Sequence, residues 1–155
     1  MNKAAQLVEV LTRKELTIGS IESFTGGLFA KTITDVSGAS KCFKGSLVTY
    51  SKEAKVNLLG IDSDFIDKYG MVSSGVSQQM AIKGRKLLNT DVCVSFTGNA
   101  GPDVCEGDAQ VGECYMSIVF NKKIWTFPLH IEAERKAVRE VAVNTVIDTI
   151  LSILG

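Results

Sequence analysis

The sequence has neither an excess of charge of one sign nor a long apolar run. Its 155 residues include 17 basic and 17 acidic side chains, which give a formal net charge of zero. Balanced charge implies no general electrostatic attraction to nucleic acid or to an anionic membrane surface. No stretch approaches the ~18 apolar residues of a membrane-spanning helix. The sequence therefore predicts neither nucleic acid nor a membrane as a partner.

Histidine and metal-binding cysteine motifs are also scarce. The only histidine is His130, and the four cysteines, at positions 42, 93, 105 and 114, form no C-x-x-C motif. No zinc-ligand spacing is present, and a Ser-His-Asp triad is disfavoured because His130 is expected to be structural. Cys93 is predicted to be a buried small apolar residue. A disulfide between Cys105 and Cys114 is one alternative, but reduced thiols are favoured in a cytosolic chain.

The N-terminal segment lacks the continuous apolar centre of a signal peptide. It is amphipathic and contains acidic residues, so a cytoplasmic location is expected. The length predicts one domain, residues 1–155, with one substantial core. No repeat, linker or low-complexity segment is apparent.

Hydrophobic periodicity and turn residues predict alternating helices and strands. The predicted strands cover residues 16–22, 43–50, 92–96, 114–120 and 124–130, and the predicted helices cover residues 3–14, about 28–35, 52–59, 62–68, 74–88 and 134–154. This order predicts an α/β (α+β-like) fold, a single-domain mixed sheet of about five strands flanked by helices on both faces.

Several local features of these elements are also predicted. Ser51 is expected to cap the helix that follows it, Thr25 the second helix, and Ser73 or Ser74 the helix that ends at about residue 88. Gly84, inside that last helix, predicts a close contact with another helix, since glycine costs about 1 kcal/mol there relative to alanine.

The stretch Ile18–Leu28, IGSIESFTGGL, organises the rest of the chain. It predicts a strand, a tight turn and a helix, with the hydroxyl of Ser23 at the end of the strand. Gly26 and Gly27 allow close backbone approach, and the helix N-terminus offers unpaired N–H groups. From the turn alone, an ordinary strand-to-helix connection without chemistry is the favoured interpretation.

A lysine is the remaining candidate for activating a serine. The block TYSKEAK places Tyr50 at a strand end and Lys52 and Lys55 on the following helix. A free lysine has a pKa of about 10.4, so it must be desolvated or lie near other cations to act as a base near neutrality. The alternative is a solvated start of a helix.

Three strand ends carry hydroxyl groups. Ser23, Tyr50 and Thr97 each close a predicted strand, and Gly98 and Gly101 follow the third one. In open α/β sheets, ligands bind beyond the carboxyl ends of the strands, so these side chains form one crevice if the strands are neighbours.

Two arginines lie one turn apart at the start of the last predicted helix. Arg135 and Arg139 form a candidate phosphate clamp, because a guanidinium group matches phosphate oxygens. A solvated helix end is the alternative.

The motifs ESFTGG, VSGAS, VTYSKEAKVNLLGI, YGMVS and TGNAGP, taken in order, resemble the C-terminal domain of the CinA (competence/damage-inducible) family, the nicotinamide mononucleotide amidohydrolases. The resemblance runs from about residue 4 to 152. It implies hydrolysis of the carboxamide of nicotinamide mononucleotide to nicotinate mononucleotide and ammonia, in pyridine-nucleotide salvage. It implies no metal and no redox cofactor. Many members carry an additional N-terminal domain resembling molybdopterin-binding proteins, whose activity is not expected here.

The resemblance also implies roles for individual residues. Ser23 matches the proposed nucleophile and Lys55 the lysine that activates it. Tyr50 and Thr97 match positions that orient substrate and nucleophile, and Arg135, or less well Arg139, matches an arginine of the family. From the residues themselves, backbone N–H groups from Thr25 to Gly27 are candidate oxyanion donors. A basic side chain is expected to hold the 5′-phosphate.

The sequence departs from the family pattern at four places. Phe24 replaces a small cysteine, Asn99 replaces an apolar residue, Ala109 replaces a lysine, and Ala133 replaces a glycine. These changes leave open a nucleotide-binding or interaction module without turnover. A different Ser-Lys amidase or peptidase is the other alternative. The resemblance and the apolar faces of the terminal helices also predict a homo-oligomer, with a dimer favoured.

Overall fold

The computed structural model describes residues 2–103 and 109–155. Within them the chain forms six α-helices, one short 3₁₀-helix and five strands. In chain order the elements are α1 Lys3–Arg13, β1 Ile18–Glu22, α2 Leu28–Thr34, the 3₁₀-helix Ala39–Lys41, β2 Phe43–Val48, α3 Lys52–Leu59, α4 Ser63–Tyr69, α5 Ser74–Leu88, β3 Val92–Gly98, β4 Glu113–Phe120, β5 Lys123–His130 and α6 Arg135–Leu154.

The five strands form one mixed sheet in the order β2-β1-β3-β4-β5. Strand β1 pairs in parallel with both β2 and β3, whereas β4 and β5 are antiparallel to their neighbours. Every residue of β1 is buried, including Ser20 and Glu22, because the central strand of a parallel sheet is covered on both faces. The carboxyl ends of β2, β1 and β3 therefore lie side by side at one edge of the sheet.

Helices cover both faces of the sheet, which confirms the predicted α/β architecture. Helices α1, α2 and α6 pack on one face over the larger core. Helix α5 covers the other face together with α3 and α4. The smaller core on this face consists of Ile21, Leu59, Ile61, Ile66, Val76, Met80 and Cys93. The carboxyl ends of β2, β1 and β3 therefore lie between these two layers of helices.

Two of the predicted caps are confirmed. Ser51 accepts the N–H of Ala54 at the start of α3, and Ser73 accepts the N–H of Val76 at the start of α5. The β4–β5 connection at Asn121 and Lys122 has positive φ at both residues, which suits a two-residue hairpin turn.

The cap predicted at Thr25 is wrong. The N-cap position of α2 is Gly27, in a left-handed conformation with φ +99°, and no side chain of that residue can cap the helix. The hydroxyl of Thr25 donates instead to the carboxylate of Glu22, 2.8 Å away. A buried carboxylate therefore replaces the expected hydroxyl at this helix end.

Gly84 makes a close contact, but with the sheet rather than with a helix. A Cβ atom at this position would overlap Cγ1 of Ile21 on β1 and approach Sγ of Cys93 on β3 to 3.1 Å. Glycine at this site lets α5 lie close against the central strands, which holds β1 and β3 in place.

The thiols of Cys42, Cys93 and Cys114 are free and buried, as predicted for Cys93. Burial raises the pKa of Cys93 and of Cys114 to about 12. Cys105 lies outside the described residues, and so does the disulfide considered for it. In the described part of the chain, no helix has both the length and the apolar character needed to cross a bilayer.

Candidate active site

The amine of Lys55 contacts the hydroxyl of Ser23. Lys55 Nζ lies 2.9 Å from Ser23 Oγ, across two elements that the parallel pairing of β1 and β2 brings together. Ser23 directly follows β1. Ser51 caps α3 three positions after the end of β2, so Lys55 lies one turn inside the helix. The geometry matches the predicted serine-lysine pair.

Lys55 is buried without a carboxylate partner. Its side chain is 0% exposed, and Nζ also donates to the backbone carbonyl of Thr49, 2.5 Å away. No ion pair involving Lys55 occurs among residues 2–103 and 109–155. Desolvation by burial lowers the pKa of Lys55 to about 8. The neutral amine, which can accept a proton, is therefore accessible near physiological pH.

Lys52 has a different environment, although both lysines were grouped as candidates from the sequence. Its amine forms an ion pair with Asp67 on α4, at 2.6 Å, and its side chain is one-third exposed. Lys52 therefore lies at the partly exposed side of α3 and pairs with Asp67, whereas Lys55 faces the serine.

Glu22 organises the turn beside the nucleophile, a role that the sequence did not predict. Its Oε1 accepts the hydroxyl of Thr25 and the N–H of Phe29, and its Oε2 accepts the N–H of Ala30 at 3.0 Å. The hydroxyl of Ser46 also donates to Oε2, and that of Ser20 lies 3.0 Å from the same atom. The sequence feature that could have indicated this role is an acidic residue at the end of a buried strand, because a fully buried carboxylate needs hydrogen-bond partners.

The turn after Ser23 is held from α6. Arg139 Nη2 donates to the carbonyl of Thr25 at 2.7 Å, and it lies 3.1 Å from where a Cβ of Gly26 would be. Gly26, with φ +60°, donates its N–H to the Ser23 carbonyl. Its N–H is therefore occupied, which leaves those of Thr25 and Gly27 as the remaining predicted oxyanion donors.

A cleft of about 320 Å³ opens beside Ser23, a volume at the lower end of small-molecule sites. The lining residues predicted from the sequence are Ser23, Tyr50, Thr97, Gly98 and Arg135; the others are Phe24, Met71, Val72, Asn99, Ala100, Asp103 and Ala109.

The three predicted strand ends therefore meet in one crevice. Thr25, Gly26, Gly27, Gly101 and Arg139 are not among the lining residues. Gly101 instead accepts a hydrogen bond from Arg135, and Arg139 donates one to the carbonyl of Thr25.

The sequence did not predict the α4–α5 connection as a wall of this cleft. The hydroxyl of Thr97 donates to the carbonyl oxygen of Met71, 2.7 Å away. That bond ties the end of β3 to the connection that brings Met71 and Val72 into the cleft. No motif in the sequence indicated this pairing, because it joins segments 26 residues apart.

Arg135 spans the opening of the cleft. Its Nη1 donates to the carbonyl of Gly101 at 2.7 Å, and its Nη2 lies 3.2 Å from Tyr50 Oη. The residue is exposed at the first turn of α6. A guanidinium with one carbonyl and one phenol as partners, and no carboxylate contact in the described residues, can still bind an anion.

His130 is not part of this cleft. Its Nε2 lies 3.0 Å from the carbonyl oxygen of Val111. A backbone contact of this kind agrees with the structural role predicted for it.

Comparison of the sequence with known proteins identifies a family that it matches. A family model described as the CinA C-terminal domain matches residues 1–154. A "CinA-like protein" from Flavobacterium psychrophilum is 40% identical over 144 residues, which are 93% of this chain but 34% of that relative. The chain thus spans about a third of the length of several curated relatives it matches. "Protein MG115 homolog" from Mycoplasma pneumoniae is 36% identical over 98% of this chain and 97% of its own length.

Solved structures share the fold. A CinA superfamily protein from Escherichia coli superposes with a TM-score of 0.94 at 24% identity, covering 98% of this chain and 88% of that one. A competence or damage-inducible protein from Enterobacter asburiae gives a TM-score of 0.92 at 24% identity over all of both chains. At this identity the likeness concerns architecture alone.

Proposed function

This chain belongs to the CinA C-terminal domain family, and on that premise we propose that it hydrolyses the carboxamide of nicotinamide mononucleotide to nicotinate mononucleotide and ammonia. The observation that carries the proposal is the contact between buried Lys55 and Ser23 at the floor of the cleft. A desolvated lysine whose pKa is lowered to about 8 is suited to take a proton from serine.

In the proposed reaction, Ser23 Oγ attacks the carbonyl carbon of the carboxamide. Neutral Lys55 Nζ accepts the hydroxyl proton as the C–O bond forms. The carbonyl oxygen becomes an oxyanion, for which the N–H groups of Thr25 and Gly27 are the remaining candidates of the turn after Ser23. Such fixed donors stabilise the charge that develops in the transition state without reorganising.

Collapse of this intermediate breaks the C–N bond. Lys55 passes the proton that it holds to the departing nitrogen, which leaves as ammonia and yields an ester between Ser23 and the acid. A water molecule then attacks the ester carbon, with Lys55 again as base. Nicotinate mononucleotide leaves, and the serine hydroxyl is regenerated.

Arg135 is the proposed partner of the 5′-phosphate. It is exposed, lines the cleft, and is positioned by Gly101 and Tyr50. A guanidinium that lines the same cleft as Ser23 and binds the phosphate would hold the carboxamide in place for attack by the serine. Thr97 and its hydrogen-bond partner Met71 contribute to the wall of the cleft.

The test is ammonia release from nicotinamide mononucleotide by the purified chain in the presence of EDTA. Ser23→Ala is expected to lower kcat by about 10³-fold or more. Ser152→Ala, an exposed serine at the far end of α6, serves as the matched control and should keep wild-type turnover.

Three outcomes would contradict the proposal. Binding of the nucleotide without ammonia release would select a binding module that lacks turnover. Equal cleavage of amides that carry no phosphate would select a different serine-lysine amidase. Activity retained in Ser23→Ala would exclude Ser23 as the nucleophile.

A further inference from the structure

The side chain of Asn99 uses both of its polar atoms to shape one wall of the cleft. Its Oδ1 accepts the N–H of Gly101 at 2.9 Å, which closes an Asx turn. Its Nδ2 donates to the carbonyl oxygens of Asp103 and Ala109, at 3.1 and 3.0 Å. Since Asp103 and Ala109 both line the cleft, one side chain determines the position of two wall residues.

The Asx turn is the first contact in a series that reaches across the cleft. The N–H of Gly101 binds Asn99, and the carbonyl of the same glycine accepts Arg135 Nη1 at 2.7 Å. The second guanidinium nitrogen of Arg135 then reaches Tyr50 Oη at 3.2 Å. Arg135 itself is exposed, so these two contacts are what restrict its guanidinium group.

We propose that Asn99 is a positioning residue for substrate specificity, which acts by placing Arg135 for the phosphate end of a mononucleotide. The inference rests on the proposed function. The three hydrogen bonds of the Asn99 side chain go to neither Ser23 nor Lys55, so its effect is on recognition of the phosphate rather than on the bond that is broken. A phosphorylated substrate depends on it, and a substrate without phosphate does not.

Asn99 can be replaced without an obvious threat to folding. The residue is half-buried and its side chain lies at the cleft, and the family pattern that the sequence resembles has an apolar residue at this position. Leucine has nearly the shape of asparagine and removes all three hydrogen bonds. Serine keeps an acceptor for the Gly101 N–H, because Ser side chains form the same turn more weakly, but it is too short to reach Asp103 and Ala109.

The experiment measures kcat and KM for nicotinamide mononucleotide and for nicotinamide riboside, the same molecule without its phosphate. In Asn99→Leu, KM for the mononucleotide should rise about tenfold, as expected when a charged hydrogen-bonding group is misplaced. KM for the riboside should change by less than about twofold. Asn99→Ser should lie between wild type and Asn99→Leu.

A double-mutant cycle tests whether Asn99 acts through Arg135. In an Arg135→Gln background, Asn99→Leu should no longer change the ratio of kcat/KM for the two substrates. A merely structural role would lower kcat/KM equally for both substrates and would persist in that background. Either of those results, or an unchanged ratio in Asn99→Leu, would overturn the inference.

Different results would overturn the proposed function and the role of Asn99. If the wild-type chain releases no ammonia from either substrate, the proposed function is overturned and this inference falls with it. If the wild type releases ammonia and prefers the mononucleotide while Asn99→Leu keeps the same preference, the proposed function survives and the inference alone is overturned.

Discussion

The carbonyl oxygen of Thr49 holds the amine of Lys55, 2.5 Å away, while the hydroxyl of Ser23 lies 2.9 Å from the same nitrogen. A carbonyl oxygen only accepts hydrogen bonds, so it engages one N–H whether the amine is charged or neutral. When the amine is neutral, its lone pair is then available for the Ser23 hydroxyl. The residue that directly follows β2 thus supplies the group that orients the base.

The rate of ammonia release should rise with pH as Lys55 loses its proton. Because burial lowers the pKa of Lys55 to about 8, the neutral form increases up to and beyond that value. We expect kcat/KM to increase about tenfold per pH unit below pH 8 and to level off above it. A pH–rate profile from pH 6 to pH 10 measures this. A flat profile below pH 8 would exclude Lys55 as the base.

Lys55→Met should abolish activity and stabilise the fold at neutral pH. The unfolded lysine has a pKa near 10.5 and the folded one about 8, so between these values the unfolded state binds more protons. The wild-type free energy of unfolding should therefore rise with pH, by about 2 kcal/mol between pH 7 and pH 10.

The methionine variant lacks this ionisation, so its advantage should shrink over the same interval. Urea unfolding of both proteins at several pH values measures the difference. A constant difference across the interval would contradict the lowered pKa.

Glu22→Gln should weaken both stability and turnover. The amide places an N–H donor where the carboxylate accepts donors from Thr25, Phe29 and Ala30, so at least one donor loses its acceptor. We expect a loss of about 1–3 kcal/mol in the free energy of unfolding, with a lower kcat because the turn after Ser23 is no longer held. Glu9→Gln, at an exposed site on α1, is the control and should change neither.

Arg135→Gln and Arg139→Gln should have different effects. Loss of Arg135 should raise KM for the mononucleotide about tenfold or more, because its guanidinium lines the cleft. Loss of Arg139 removes the donor to the Thr25 carbonyl and should lower the melting temperature and kcat instead. Lys136→Gln, between them and exposed, is the charge-matched control. The same kinetic effect in both arginine variants would contradict this assignment.

Gly84→Ala should destabilise the protein although alanine favours helices. The added methyl group would overlap Ile21 on β1, and overpacking of this kind costs about 1–3 kcal/mol. This outweighs the gain of about 1 kcal/mol in helix propensity. Thermal unfolding measures the balance, with Lys86→Ala on the exposed side of α5 as the control. An increase in melting temperature in Gly84→Ala would refute the close contact.

Most of the architecture could be predicted from the sequence because helices and strands carry their own hydrophobic periodicity, and turn residues mark where they end. The positions of Ser23, Tyr50 and Thr97 followed from strand order, since hydroxyls at neighbouring parallel strand ends must lie close together. Spacing alone did not separate Lys52 from Lys55, and only the family resemblance singled out Lys55. The structure places Lys52 against Asp67 and Lys55 inside the protein.

Side-chain direction explains the remaining differences. The cap at Thr25 was wrong because the carboxylate of Glu22 competes for the same donors, and that competition is invisible in spacing alone. Arg139 faces the Thr25 carbonyl rather than the cleft. This contact joins α6 to the turn after β1 across 114 positions of the sequence. A local sequence pattern cannot predict a contact at that separation.

The bridge between Tyr50 and Arg135 joins positions separated by 85 residues, and it has a consequence for the timing of activity during synthesis. The serine and the lysine are both synthesised by residue 55 of 155, yet Arg135 follows only at the start of the last helix. A nascent chain therefore contains Ser23 and Lys55 long before it contains Arg135, the residue proposed to bind the phosphate of the substrate. The cleft can close only after the residues of α6 have been translated.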